Sequence, residues 1–440
     1  MKKLFFSALL VFLCSGVSAQ LISTGLLDVM KEYGSVNRWT GVNSICAYDD
    51  TLYASTFYGL FYYDLKNEKS WKHYGSFTYF TEEFVKDGDN IVAIVKPSYK
   101  NPSDDVFDKS AQAVLYSNDK GETYSVKEVE FYNHVPFRIN SLSQNPNNRK
   151  QLYLVKDVDG EFLTKGLYKS HDFGKTWEEC LIEDEHSEEN AHMKCCGRVF
   201  VNPYDASNCF LVGTMGTVRY EDKFIGRYLF TEDGFATVDS LQFIDDEAMN
   251  RLMIPFSIAF GKDNTMLMAS KRGLLKSVDS GRTWEFKLKF KYRIHPNMFL
   301  DIIYDSNKPD IVYSVDVYGY PYGDDGRYYD PHVYISYNGG EDWSEYLTID
   351  GFYHSINQQY LGFFDGYFPH KVLFHYDNKL FICCDDDVFY LDTTDIQTGI
   401  SSVSAEGNSG DGFIYDLQGR RLSAEPERGL YIKDGKKIAK

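Results

Sequence analysis

An all-β chain is the fold class that the sequence predicts, and three observations predict it. Aromatic residues make up 16% of the 440 residues, with 35 Tyr and 32 Phe, and such side chains favour strands. Runs rich in Ala and Leu, which favour helices, are scarce. An eight-residue pattern also recurs, with successive copies 46 to 61 residues apart, and periods of this size indicate repeated sheet units.

The first 19 residues have the pattern of a secretory signal peptide. Positions 2–3 are both Lys, positions 4–13 are largely apolar, and positions 17–19 carry small residues that suit cleavage before Gln20. Cys14 raises a lipoprotein alternative, but the Leu before it is bulkier than the usual lipid-attachment motif accepts. No later stretch is apolar over the roughly 18 residues that a membrane span needs. We therefore expect an exported chain without a transmembrane span.

The charge distribution argues against nucleic-acid binding. The formal net charge is −18, to which the leader contributes +2 and residues 412–440 contribute +3, so the remaining body carries −23. A body of this charge repels phosphate backbones. We expect no nucleic-acid partner.

Seven of the eight cysteines remain after the leader. Four are close enough in sequence for one local disulfide, with buried free thiols as the alternative; these are Cys180, Cys195, Cys196 and Cys209. Neighbouring residues on a strand point to opposite faces, so we expect no disulfide within either adjacent pair, 195–196 or 383–384. No Cys/His spacing matches a structural zinc site, and we expect neither a metal nor a cofactor.

One octet recurs through the body. Complete copies occupy 170–177 (SHDFGKTW) and 277–284 (SVDSGRTW), and partial copies occupy 117–124, 231–238 and 336–343. Ser, Thr and Asp side chains bond the backbone of tight turns, and Gly supplies positive φ. Trp can fill the space between neighbouring sheets. The pattern therefore indicates a structured turn that is repeated along the chain.

This octet resembles the Asp box, or bacterial neuraminidase repeat, Ser-x-Asp-x-Gly-x-Thr-Trp, of sialidases, sortilin-like receptors and xyloglucanase-like hydrolases. The resemblance implies a β-propeller. In such a turn the third position has a structural rather than a catalytic role. The residues at that position are Asp119, Asp172, Asp233, Asp279 and Asn338.

Seven repeat units can be counted, which predicts a seven-bladed β-propeller over residues 20–395. The units cover about 42–71, 84–126, 137–179, 197–240, 254–287, 298–346 and 370–392. The seventh unit shows only three strands, and an open sheet edge is an aggregation liability. We predict that the segment 35–40 supplies the missing strand, with 393–400 as the competing segment.

A small C-terminal β sorting module is predicted after a linker. Residues 396–411 are small and polar, as in flexible linkers. Residues 412–440 contain Tyr-Asp-Leu-Gln-Gly-Arg, Gly-Leu-Tyr-Ile and Gly-Lys-Lys, and they resemble the type A C-terminal sorting domain of type IX secretion substrates. The resemblance implies a Bacteroidetes-type cell, with the type IX secretion machinery as partner. It also implies a product that is secreted or attached to the outer-membrane surface once leader and tail are removed. A plain β-hairpin appendage is the alternative.

Two long aromatic loops form the predicted ligand site. In a propeller, two classes of loop share one face, and binding residues concentrate in such loops. Residues 316–331 and 344–369 belong to these classes and combine rings with Asp and Gly. Rings and carboxylates suit sugars or peptides. The predicted ligand-binding residues are Tyr318, Tyr320, Tyr322, Tyr328, Tyr329, Tyr353, Tyr360, Phe363, Phe364 and Tyr367.

The sequence predicts a glycan- or protein-binding protein and does not reveal a catalytic site. A sialidase needs three arginines around a carboxylate, and no spacing of arginines here selects such a triad. An inverting glycosidase needs two carboxylates roughly 6.5–9.5 Å apart, and the many acidic residues do not single out a pair. A glycoside hydrolase of the xyloglucanase-like or sialidase-like type is the alternative function.

Overall fold

Almost all regular structure in the protein is β. The computed structural model describes residues 20–36, 41–67, 70–96, 112–128, 139–156, 167–180, 197–212, 218–220, 223–225, 229–237, 239–243, 255–290, 297–318, 330–349, 371–396, 414–415, 421–422, 430–433 and 436–439. Within these segments the one helix is α1 (Leu26–Met30), and no helix there is long and apolar enough to cross a membrane.

Seven sheets form the blades of a β-propeller, and their strands are antiparallel except for the short edge strand β20 of blade 5, which pairs with β24 in parallel. Six blades contain four strands and one contains five. The first strand of each repeat unit is the innermost strand, and residues of all seven inner strands line one central channel. The predicted all-β, seven-bladed fold is confirmed.

The first four blades follow one another along the chain. Blade 1 consists of β2 (Val42–Tyr48), β3 (Thr51–Thr56), β4 (Gly59–Asp64) and β5 (Lys72–Tyr74). Blade 2 consists of β6 (Phe80–Asp87), β7 (Asn90–Lys96), β8 (Ala113–Ser117) and β9 (Ser125–Glu128). Blade 3 consists of β10 (Ile139–Asn145), β11 (Asn148–Lys156), β12 (Leu167–Ser170) and β13 (Glu178–Glu179). Blade 4 consists of β14 (Arg198–Val201), β15 (Cys209–Val212), β18 (Leu229–Thr231) and β19 (Asp239–Ser240).

Blades 5 and 7 each include a strand from outside their repeat unit, whereas blade 6 does not. Blade 5 consists of β21 (Pro255–Phe260), β22 (Met266–Ser270), β23 (Gly273–Ser277), β24 (Thr283–Lys289) and, on its outer edge, β20 (Gln242–Phe243). Blade 6 consists of β25 (Asn297–Tyr304), β26 (Val312–Tyr318), β27 (His332–Ser336) and β28 (Ser344–Thr348). Blade 7 consists of β29 (Leu373–Tyr376), β30 (Lys379–Cys383), β31 (Val388–Asp392) and β1 (Ile22–Ser23).

Two small sheets lie outside this pattern. A hairpin of β16 (Val218–Tyr220) and β17 (Lys223–Ile225) is inserted in blade 4. The C-terminal tail forms its own sheet of β32 (Ile414–Tyr415), β33 (Arg421–Leu422), β34 (Leu430–Lys433) and β35 (Lys436–Ala439), in the order β33-β32-β34-β35.

The N-terminal chain closes the ring, but the predicted segment was wrong. Strand β1 pairs with β31 through Ile22 and Ser23, whereas residues 35–36 form no strand and 37–40 lie outside the described residues. Asp387 explains the choice, because its carboxylate accepts hydrogen bonds from the Ser23 hydroxyl at 2.5 Å and from the Leu26 N–H at 2.9 Å. Residues 393–396, the described part of the competing segment 393–400, form no strand.

Polar side chains join the inner strands of neighbouring blades. Five inner strands carry a register shift at the same position, near their beginning. At this position the Ser141 hydroxyl donates to the Gly197 carbonyl at 2.9 Å, and Glu83 accepts from the Leu142 N–H at 2.8 Å. The bulge leaves backbone groups without ladder partners, and the neighbouring blade satisfies them.

The five octets fold as one hydrogen-bonded turn each. In the copy at 277–284, the Ser277 hydroxyl donates to Asp279 at 2.8 Å, and the Gly281 N–H donates to Ser277 at 2.9 Å. The Thr283 N–H and hydroxyl donate to Asp279 at 2.9 and 2.6 Å. Equivalent bonds surround the other third-position residues, Asp119, Asp172, Asp233 and Asn338.

Each octet packs against the preceding blade. Gly281 has φ of +86° and lies so close to Phe210 of blade 4 that a Cβ atom would collide with the ring. Lys276 of blade 5 donates to the carbonyl of Gly339 in the next octet at 2.8 Å. Trp284 is 1% exposed and packs in the core shared by blades 4 and 5, whereas Trp177 is half-buried.

Five cysteines among the described residues are free thiols. Cys180 and Cys209 lie in one buried cluster between blades 3 and 4 without a disulfide, and Cys383 and Cys384 are buried and unlinked. Cys195 and Cys196 lie outside the described residues.

Replacing Trp284 by Ala should destabilise the protein by about 3–5 kcal/mol, the cost of emptying a large buried aromatic site. Trp177→Ala should cost less, about 1–3 kcal/mol, because part of that ring is already exposed to water. Urea denaturation of the purified variants measures both values. Equal losses for the two variants would contradict the assignment of the main packing role to Trp284.

Replacing Asp387 by Ala should lower stability by about 2–3 kcal/mol, because the first N–H groups of α1 and the Ser23 hydroxyl lose their acceptor. The matched control is Asp392→Ala on the same blade, where the exposed carboxylate bonds only locally, to the Thr394 N–H at 2.9 Å. Denaturation curves and limited proteolysis are the measurements, and we expect early cleavage within residues 20–40 only in the Asp387 variant. Equal behaviour of the two variants would contradict this role.

Candidate functional site

The strand order gives the propeller two different faces. Connections between the first and second strands of a blade, and between the third and fourth, lie on one side, which we name the turn face. All five octets lie there, together with short turns such as 49–50 and 88–89. Connections between the second and third strands, and from one blade to the next, lie on the opposite side, which we name the loop face. The long insertions 97–111 and 319–329 leave from the loop face.

The sequence-predicted ligand site falls almost entirely outside the described residues. Tyr318 is the last residue of β26, so its backbone lies at the loop-face end of that strand. The segments 319–329 and 350–370 are not described. They contain the nine other candidates, Tyr320, Tyr322, Tyr328, Tyr329, Tyr353, Tyr360, Phe363, Phe364 and Tyr367. Their grouping into one patch stays a prediction.

A buried contact fixes the base of the first of these loops. Asp316 on β26 is fully buried and faces His332, the first residue of β27. Its carboxylate accepts from the His332 N–H at 2.7 Å and lies 3.0 Å from the ring Nδ1. This hydrogen bond raises the pKa of His332, against the opposing effect of partial burial. The loop therefore leaves the loop face between two fixed strand ends.

The central channel holds a cavity of about 560 Å³, which is within the size range of small-molecule sites. Its lining is about equally polar and apolar, and the apolar residues include Phe200, Phe260 and Phe374 on three different inner strands. These three rings are half-buried, although they also pack against the cores of their blades. The charged residues of the lining are Glu83, Arg149, Arg198, Asp301 and Lys371.

Arg198 and Glu83 form an ion pair across blades 2 and 4. Glu83 also accepts from the Leu142 N–H at 2.8 Å, so this carboxylate joins three blades. Burial lowers the pKa of Arg198 to about 10, while Asp301 acts in the opposite direction. The guanidinium stays charged at neutral pH, and its charge is largely balanced by Glu83.

Asp301 is bonded by backbone and hydroxyl donors from three blades. It is 3% exposed. One carboxylate oxygen accepts from the Ser257 hydroxyl at 2.6 Å and from the Ile302 N–H at 2.9 Å. The other accepts from the N–H groups of Val372 and Leu373, both at 2.9 Å. A carboxylate with four donors is a structural link between blades 5, 6 and 7.

Lys371 and Cys46 lie next to each other in this lining. Lys371 is exposed and belongs to the cavity lining, and no carboxylate within the described part of the chain forms an ion pair with it. Its Nζ lies 6.0 Å from the centre of the Phe374 ring. Burial raises the pKa of the Cys46 thiol to about 12, although the charges of Lys371 and Arg198 oppose this effect. Cys46 is therefore protonated at neutral pH and is a weak nucleophile.

The turn-face end of the channel is lined by rings and one more cation. Tyr48 and Tyr304 are the last residues of their inner strands, and both line the cavity. The Arg149 guanidinium lies 5.8 Å from the centre of the Tyr48 ring and 3.1 Å from the Asp49 carboxylate. Charge and aromatic surface are therefore combined at this mouth.

A Ser–His–Asp set lies between blades 6 and 7, outside the channel. The His375 Nδ1 is 2.9 Å from the Ser306 hydroxyl, and its Nε2 is 3.1 Å from Asp305. The same Nδ1 accepts the Ser306 backbone N–H at 3.0 Å, and burial lowers the pKa of His375 to about 4. Such an imidazole is a weak general base at neutral pH, and the set acts as a link between blades.

The two carboxylates that line the channel are both engaged in structural bonds. Both lining carboxylates, Glu83 and Asp301, are held by several donors, so neither is placed to activate a water molecule. Groups of three or more His, Cys, Asp or Glu side chains suited to a metal ion are also absent from the described segments.

Sequence reasoning did not identify the channel residues. A signal for them does exist, because a polar residue follows the bulge in five inner strands. In blades 2 and 6 that residue is charged, Glu83 and Asp301. Arg198 and Lys371 carry no such signal, since they come before or at the start of their strands.

Solved propeller structures resemble this one, although no protein-family model and no curated protein sequence matches the chain. The GH74 xyloglucanase of Xanthomonas campestris aligns with a TM-score of 0.52 at 14% identity, over 86% of this chain and 54% of that chain. The GH74 enzyme of Niastella koreensis aligns with a TM-score of 0.52 at 18% identity, over 82% of this chain and 53% of that chain.

A third solved structure of similar fold contains a bound peptide. YCF48, in a structure bound to the D1 peptide, aligns with a TM-score of 0.51 at 13% identity, over 86% of this chain and 96% of that chain. The present chain thus spans about half the length of the two GH74 proteins and nearly the full length of YCF48. At these identities the similarity establishes a shared β-propeller fold.

Proposed function

We propose that this protein is an exported β-propeller that binds an extracellular glycan or protein through its loop face. The observation that carries the proposal is the contrast between the two faces. Short, hydrogen-bonded turns occupy the turn face, whereas long connections such as 97–111, 181–196, 319–329 and 350–370 all leave from the loop face. A rigid scaffold with long loops on one side is the usual arrangement of a binding surface.

Proteins of similar fold support both ligand classes. A xyloglucanase carries this fold, and so does YCF48, whose structure contains a bound peptide. The aromatic content of 316–331 and 344–369 suits stacking on sugar rings and packing against a peptide. The body charge of −23 favours a neutral or cationic ligand at exposed loops.

A glycoside hydrolase is the second candidate, favoured by the similarity to two GH74 enzymes. Against it stands the state of the two channel carboxylates, which are both engaged in structural bonds. The loop-face acids Asp324, Asp325 and Asp365 lie outside the described residues. Assays for turnover therefore separate the two functions.

Export is part of the proposal. The leader 1–19 directs the chain out of the cytoplasm, and residues 412–440 direct it through the type IX secretion machinery. The product is then released or held at the outer-membrane surface. Support comes from the leader pattern and from the sorting-domain elements of the tail.

The variant Tyr320→Ala/Tyr322→Ala/Phe363→Ala should lose affinity for the ligand by about ten-fold or more, because each ring contributes stacking or apolar contact. A glycan array and peptide pull-down followed by calorimetry measure the loss. The matched control is Tyr204→Ala/Val278→Ala, which removes turn-face side chains that are 54% and 72% exposed. Equal affinity of triple variant and parent would exclude this patch, and hydrolysis of a bound glycan would establish the second candidate.

Deleting residues 412–440 should block delivery to the cell surface without lowering the melting temperature of the body. The physical reason is that β32 to β35 pair with one another rather than with any blade. Cell fractionation of the producing bacterium and thermal melts of purified protein are the two measurements. A large fall in melting temperature would show that the tail is a structural part of the propeller instead.

A further inference from the structure

The channel cavity is a second binding environment that the loop-face proposal does not use. It lies within the ring of inner strands, and its lining comes from all seven blades. The half-buried residues Phe200, Phe260 and Phe374 contribute to the apolar half of its lining. Its volume of about 560 Å³ leaves room for a small organic molecule.

The charge of the lining is opposite to that of the body. Three cations, Arg149, Arg198 and Lys371, face two carboxylates, Glu83 and Asp301, in a body that carries −23. The carboxylates are engaged, since Asp301 has four donors and Glu83 is bonded to Arg198 and to a backbone N–H. An incoming group therefore meets cationic donors and no free acceptor charge.

Among the three cations of the lining, Lys371 is the one without an ion pair in the described segments. Arg198 is paired with Glu83, and Arg149 is paired with Asp49. No carboxylate in the described segments pairs with Lys371, and its ammonium lies beside the Phe374 ring at 6.0 Å from the ring centre. An ammonium group has three hydrogen-bond donors, and those of Lys371 lie near the Phe374 ring.

We infer that the channel binds a small amphipathic organic acid, with its carboxylate on Lys371 and its apolar body against the phenylalanine rings. Lys371 precedes β29 and lies at the loop-face end of the inner strands, whereas Tyr48 and Tyr304 lie at the turn-face end. The ligand would therefore lie along the channel axis, with its charged end towards the loop face. A charge-assisted hydrogen bond between the ammonium and a carboxylate favours the acid over a neutral molecule of equal shape.

Calorimetry with 4-phenylbutyrate and its neutral amide tests this inference on the protein without its leader. The acid should bind about ten-fold or more tightly than the amide, the ratio expected for one hydrogen bond to a charged group. Lys371→Met should remove the preference because the apolar stem stays and the charge is lost, and Lys371→Arg should retain it. Lys371 is exposed, so these variants should fold like the parent.

Lys379→Met is the matched control, since Lys379 lies on the same blade over the Tyr390 ring, with 4.9 Å between Nζ and the ring centre, and does not line the cavity. Its acid preference should equal that of the parent. Equal affinity for acid and amide, an unchanged preference in Lys371→Met, or no binding at millimolar acid would overturn the inference. The loop variant Tyr320→Ala/Tyr322→Ala/Phe363→Ala should still bind the acid, so the two sites can fail independently.

Discussion

Closure of the ring is the constraint on which the rest of the structure depends. Every blade has two apolar faces, and each must be covered by a neighbour, so blade 7 has to meet blade 1. The strand that completes blade 7 pairs through two residues only, Ile22 and Ser23. So short a pairing contributes few hydrogen bonds to the closure of the ring. The Asp387 carboxylate, which binds the start of α1, and the fully buried Leu26 and Met30 supply what the short ladder lacks. Trp71 of blade 1 then donates to Thr24 at 2.8 Å and joins the closing segment to the opposite side of the seam.

Two sets of contacts fix neighbouring blades against each other, one at the octets of the turn face and one at the central channel. On the turn face, the backbone of each octet packs against the preceding blade. The contacts are a hydrogen bond from a Lys ammonium or van der Waals contact with a Phe or Leu side chain. At the channel, residues that follow the bulges bond the inner strand of a neighbour. This second set explains why two carboxylates lie at the axis of an acidic propeller, since each one binds donors of neighbouring blades. Glu83 and Asp301 are committed to N–H groups and to Arg198, and a carboxylate so held has little freedom to move a proton.

Features that repeat locally were predictable, and features assembled across the ring were not. The octets and unit lengths gave the blade number, because each copy carries its turn chemistry within eight residues. The closing strand was missed because two paired residues leave no strand pattern in the sequence. The segment 35–40, in contrast, contains a Trp just before the first repeat unit, as the complete octets do before later units. The octet pattern also made Trp177 and Trp284 equivalent, but their burial differs because their neighbours on the preceding blade differ. Channel residues such as Arg198 and Lys371 come from separate units, and only the closed ring brings them together.

The two proposed sites differ in the charges and the solvent that surround a bound ligand. At the loop face, exposed rings work in water under the field of a strongly acidic body, so an anionic ligand is repelled and salt weakens that repulsion. Inside the channel, three cations face two carboxylates that are already bonded, so local contacts outweigh the distant negative surface. The Arg198 side chain is only 14% exposed, so water is partly excluded there, and partial exclusion strengthens a close ion pair. An acid entering the channel must first cross the negative field, so its association should speed up with added salt while a pair formed at Lys371 weakens only slightly.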